Sequence, residues 1–91
     1  MEVVQTKYKN FQGFCLELLP NNEFVALLQK ASLELFLKTI RIKRGQMKTE
    51  TEIMDAIMAE GNINRAEFTA EQLNKFARYV KYFTEVIDCL E

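Results

Sequence analysis

The chain contains no histidine, one serine (Ser32), one proline (Pro20), three glycines and two cysteines. Without histidine, and with Cys15 and Cys89 far apart and in no CxxC pair, the usual Cys/His zinc sites are excluded, so no metal is expected. The same absence removes the ordinary base for a serine or cysteine nucleophile. Only two aspartates occur (Asp55 and Asp88), and the glutamates sit mainly at helix starts or on polar faces. The expectation is a non-enzymatic protein with no catalytic residue, no cofactor and no small-molecule substrate. The first residues, MEVVQTKYKN, place no apolar run behind a basic start, so no signal peptide is read there. A membrane is not expected, because four charges interrupt the most apolar stretch, residues 24–42. Few cysteines and no leader give a reducing, cytoplasmic setting in which both cysteines act as small buried hydrophobes rather than as a disulfide.

What is present is an ordinary globular balance: 91 residues, 48% apolar, 27% charged, net charge −1. That length reads as one domain with a modest core, often helped by a partner subunit. The charge is uneven. Residues 1–48 carry eight Lys/Arg against four Asp/Glu, and residues 49–91 carry four against nine. Near-neutral net charge argues against a protein that binds nucleic acid with its whole surface.

The periodicity predicts an all-α bundle of four helices, at about 3–19, 23–44, 50–60 and 70–90, two long and two short. In the first, Val4, Tyr8, Phe11, Cys15 and Leu18 recur at helical spacing, with Gly13 a weak point at which a kink stays open. Pro20 ends it, and Asn22 is a candidate N-cap. The second is apolar on most sides, with Lys30, Glu34, Lys38 and Arg41 on one narrow stripe and Gln29, Ser32 and Thr39 interrupting the rest. The third has Ile53, Met54, Ile57 and Met58 on its apolar side and Gly61 as its stop. The fourth opens with a hydrophobic staple around a capping box, Phe68-Thr69-x-x-Gln72-Leu73. It then runs Leu73, Phe76, Val80, Phe83, Ile87 and Leu90 along one seam.

Two motifs invite chemistry. AEGNINRAEF matches a calcium loop at Gly61, Ile63 and Glu67, but Ala56 and Met58 would stand where the first ligands belong. A glycine-capped helix followed by a capping box writes the same letters. The segment 38–48 carries Lys38, Arg41, Lys43, Arg44 and Lys48, a candidate phosphate-binding patch. The competing account is a helix end. Cations suit the negative end of a helix dipole, Gly45 suits the left-handed C′ position, and Thr49-x-x-Glu52 starts the next helix. A helix-turn-helix formed by the last two helices fits poorly, since residues 61–69 are long for its turn and Ala70-Glu71-Gln72 is acidic where bases would be met.

The aromatic flank of the last helix is the stronger signal. Lys75, Tyr79, Tyr82 and Val86 lie beside the core seam, with tyrosines of the kind enriched at interface centres. The alternative is that this flank packs internally. The reading is a small protein–protein interaction module, an adaptor, regulatory subunit or inhibitor, forming a homodimer or larger oligomer or binding another protein. It acts through this flank or the outer side of the second helix. The alternative is a nucleic-acid-associated regulator using residues 38–48.

Overall fold

A computed structural model describes residues 2–46 and 49–90, and it is all-helical. The helices are α1 (Glu2–Leu18), α2 (Glu23–Lys30), α3 (Leu33–Gln46), α4 (Glu50–Glu60) and α5 (Ala70–Leu90), with a 3₁₀ turn at Arg65–Glu67 before α5. The all-α class agrees with the sequence; the count of four does not, because the second predicted helix is two.

The break falls at Ala31 and Ser32. Ala31 is extended (φ −76°, ψ 143°) and ends α2. The Ser32 hydroxyl accepts from the Leu35 amide at 3.1 Å and so caps α3. The interruption changes the helical phase. In one continuous helix Leu28, Leu35 and Ile42, seven residues apart, would share a face. Leu28 is buried, yet Leu35 and Ile42 are each 55% exposed. After the break α3 instead turns Leu33, Phe36, Leu37 and Ile40 into the core, an i, i+3, i+4, i+7 set. A stretch that looks apolar all round is therefore two amphipathic helices with different inward faces. Lys30 now belongs to α2 and Glu34 to α3, so the expected charged stripe is not continuous.

An interrupted helix leaves carbonyls without their i+4 donors. Here α1 supplies replacements. The Tyr8 hydroxyl lies 3.2 Å from the Leu28 carbonyl and 3.1 Å from that of Ala31, and donates to this pair. Gln12 Nε2 donates to the Leu28 carbonyl at 2.8 Å, and Gln29 Nε2 returns a bond to the Gln12 carbonyl at 2.7 Å. Burial pushes the Tyr8 hydroxyl above the ordinary tyrosine range, with the Gln12 bond pulling the other way, so it stays protonated and a donor.

The other boundaries follow local chemistry. Asn22 caps α2, its Oδ1 accepting from the amides of Phe24 and Val25 at 2.8 and 3.2 Å. Thr69 and Gln72 form the reciprocal capping box of α5, with bonds of 3.1 and 2.9 Å. Thr49 accepts from the Glu52 amide at 3.1 Å to start α4. Of two glycines expected at helix ends, one differs from expectation. Gly45 lies within α3, which runs on to Gln46. Gly61 does end α4, but the left-handed residue is the next one, Asn62 (φ 52°). Bonds from Asn62 N to Ala59 O and from Ile63 N to Met58 O complete a Schellman motif. Residues 56–60, the first half of the calcium-loop reading, are thus ordinary helix.

All five helices contribute to one core. Phe11 is fully buried at its centre, with the rings of Phe36, Phe76, Tyr79 and Phe83 at 5.2 to 5.7 Å. Gly13 does not interrupt α1, which is one helix from Glu2 to Leu18. Cys15 is buried, but Cys89 is exposed on the last turn of α5, which corrects the expectation that both are core residues. No helix among the described residues is long and apolar enough to cross a membrane.

Candidate functional site

Among the described residues the core leaves five large apolar side chains exposed, Val3 and Leu16 on α1 and Leu27, Leu35 and Ile42 on the outer side of α2 and α3. Leu27 is 67% exposed, and Leu35 and Ile42 line the same side of the molecule's surface on α3. Between α2, α3 and the end of α4 runs a groove of about 430 Å³, walled by Phe24, Leu27, Leu28, Leu35, Phe36 and Ile40. Its geometry is held at two points. Asn22, while capping α2, also donates through Nδ2 to the Gly61 carbonyl at 3.0 Å, tying the start of α2 to the end of α4. Gly61 lets Phe24 come close, since a Cβ there would sit 2.8 Å from Phe24 Cβ and Cγ. At the groove's edge Lys43 pairs with Glu60, and its side chain is only 11% exposed.

A second groove, of about 1100 Å³ and widely open, lies between the start of α1 and α3 and reaches Leu35 and Ile42 from the other side. Lys38 and Arg41 lie along it with Glu2 and Glu34. The basic residues of the 38–48 segment are therefore not one patch. Lys43 is tied to Glu60 and Arg44 to Asp88, while Lys38 and Arg41 line this α1–α3 groove. Lys48 lies outside the described residues.

The aromatic flank of α5 is in large part covered by α1. Tyr79 is half-buried, its ring 5.2 Å from Phe11 and 5.7 Å from Phe14. Burial, and to a smaller degree the neighbouring Cys15, push its hydroxyl above the ordinary range. Tyr82 stands edge-on to Phe83 at 5.3 Å, and Val86 packs against the core beside them. Lys75 stays exposed, its Nζ 5.0 Å from the centre of the Phe14 ring. Lys7, from α1, lies 5.6 Å from the centre of Tyr82. Tyr79, Tyr82 and Lys75 share a shallow groove with Lys7 and Arg78; Val86 is not part of it.

The one serine and both aspartates have structural partners. Ser32 Oγ is occupied by the Leu35 amide, Asp55 pairs with Arg65, and Asp88 with Arg44. Cys15 is buried and its thiol is pushed up to about 12 by desolvation, which keeps it an unreactive thiol at neutral pH. Sequence reasoning named the outer side of the second helix but not its residues. Leu27, Leu35 and Ile42 come to light only once the break is known. Comparison with protein-family models, curated proteins and solved structures finds no match to this chain.

Proposed function

We propose that the chain is a small non-enzymatic protein–protein interaction module whose first partner is a second copy of itself, joined through the outer face of α2 and α3. The observation that carries the reading is the exposure of Leu27, Leu35 and Ile42, with Leu27 and Leu35 on the α2–α3 groove and Leu35 and Ile42 on the α1–α3 groove. Large aliphatic side chains aligned on one face favour burial at roughly 25 cal/mol per Å² of apolar area.

Charge order on α3 favours a second copy as the occupant. The exposed stripe is acidic at its first turn, with Glu34, and basic from Lys38 onward. An antiparallel pairing across a two-fold axis sets Leu35 of one copy against Ile42 of the other. It also brings each Glu34 toward the basic half of the mate's helix. Each contact then occurs twice, as an isologous interface requires. The proposal uses this face rather than the Lys75, Tyr79, Tyr82 and Val86 flank, because α1 already occupies much of that flank. Free thiols at Cys15 and Cys89 suit a reducing cytoplasm.

Sedimentation velocity over a concentration series tests the reading. The expected result is a concentration-dependent dimer for the unaltered chain and a monomer for Leu35→Glu/Ile42→Glu, with unchanged helical circular dichroism because both positions are exposed. A chain that stays monomeric at about 100 μM, weaker than the affinities of ordinary specific interfaces, sinks the self-association reading.

A further inference from the structure

Three cations and two tyrosines converge where α1 crosses α5. Lys7 comes from α1, and Lys75, Arg78, Tyr79 and Tyr82 come from α5; together they line a groove of about 240 Å³. The three cations are exposed, and none makes an ion pair among the described residues, whereas Lys43, Arg44 and Arg65 all do. No carboxylate lines the groove. Neither the Tyr79 nor the Tyr82 hydroxyl bonds to protein among the described residues, so both remain free to donate. The lysine ammonium groups are positioned rather than trailing in solvent, each standing over a ring of the opposite helix. Like charges gathered without counter-charges repel one another, and an anion among them relieves that repulsion.

We propose that this groove binds a phosphate monoester dianion. The donor set decides among anions. Two ammonium groups, a planar guanidinium and two hydroxyls offer more donors than the two oxygens of a carboxylate can accept. A monoester presents three terminal oxygens and up to two charges, and Arg78 can meet it with a two-pronged fork. The setting argues against a nucleic-acid track. Along α5, Glu71 lies one turn before Lys75 and Glu85 lies three residues beyond Tyr82, so an extended polyanion would meet negative charge in both directions. One phosphoryl group fits between them.

The groove shares no lining residue with the α2–α3 groove, so this proposal stands or falls independently of self-association. The test is a chemical-shift titration of the whole chain at low ionic strength, with inorganic phosphate, phenyl phosphate and a single-stranded oligonucleotide as separate probes. The expected result is saturable shifts confined to the neighbourhood of Lys7, Lys75, Arg78, Tyr79 and Tyr82 with a phosphate probe. Arg78→Gln should weaken that binding by about tenfold, the loss of a hydrogen bond to a charged group. The unfolding midpoint of this variant should not move, since Arg78 is exposed and holds no carboxylate. Equal binding of the two small probes marks free phosphate as the ligand; tighter binding of phenyl phosphate marks an ester whose organic part rests on the tyrosines. Absence of saturable shifts, binding untouched by Arg78→Gln, or oligonucleotide binding that tightens with length would each overturn the proposal.

Discussion

Replacing Tyr8 with Phe tests whether the α2–α3 break is held from outside, by α1. The change removes one hydroxyl and keeps the ring, which packs 5.0 Å from Phe36 and 6.2 Å from Phe83. Of the two carbonyls that the hydroxyl serves, Leu28's keeps Gln12 Nε2 at 2.8 Å. Ala31's, at 3.1 Å from the hydroxyl, loses its side-chain donor in a half-buried setting. One carbonyl left unsatisfied costs about 1–2 kcal/mol. For a chain of this size that lowers Tm by roughly 4–8 °C per kcal/mol. Gln12→Leu alone should cost less, about 0.5 kcal/mol, because Tyr8 still covers Leu28. The double variant strips both donors from Leu28, so its cost should exceed the sum of the single costs by about 0.5–1 kcal/mol. Urea unfolding followed by circular dichroism measures all three against the unaltered chain, with a constant m-value as the control. The pH dependence has a definite sign. The folded-state pKa of Tyr8 is raised, so its contribution is whole below the unfolded value near 10 and is lost as pH rises through the folded value. The gap between the unaltered chain and Tyr8→Phe should therefore narrow in strong alkali. Additive single changes, or a Tyr8→Phe chain as stable as the original, would refute the reasoning and leave the break to Ser32 and packing alone.

Two glycines should respond to alanine with opposite signs. Gly13 is exposed in mid-helix with nothing within 4 Å of an added Cβ, so Gly13→Ala should stabilise by about 0.5–1 kcal/mol; Gly61→Ala, whose Cβ would meet Phe24 at 2.8 Å, should destabilise by about 1–3 kcal/mol, both read from urea midpoints. The cysteines should separate in a thiol-reagent assay: Cys89 reacts in the native protein, and Cys15 only as fast as the chain opens. Because burial raises Cys15 to about 12, its share of stability is present below its ordinary range and lost between about pH 9 and 12, and Cys15→Ala should flatten that part of the profile.

The elements that the sequence announces are those built from neighbours. Asn22, Thr49 and the Thr69–Gln72 box each act within three residues, and each works as read. The α2–α3 break has no glycine or proline to mark it. Its local sign is one serine in an apolar run, and its donors, Tyr8 and Gln12, lie at least 16 residues away in the chain. Gly61 makes the same point from the other side. It reads as a helix stop and is one, but the left-handed residue is Asn62, and the glycine makes room for Phe24. Without the break, Leu35 and Ile42 belong to one helix that reads as apolar on most sides, and nothing singles them out as exposed.

Charge close in the chain and charge close in space also differ, and here the reason is geometric. Residues 38–44 look like a basic patch because Lys38, Arg41, Lys43 and Arg44 are close in the chain. At 100° per residue a helix spreads such neighbours around its circumference. Lys43 ends at Glu60 of α4 and Arg44 at Asp88 of α5, so their charge is spent on joining α3 to its neighbours. Lys7 and Lys75 are separated by most of the chain, yet the crossing of α1 on α5 sets both beside Tyr79 and Tyr82. Charges with an acidic partner in reach hold the fold together. Those that the fold gathers without one, at a cost in repulsion, are where a ligand of opposite sign gains most, and a count of basic residues along the sequence does not separate the two groups.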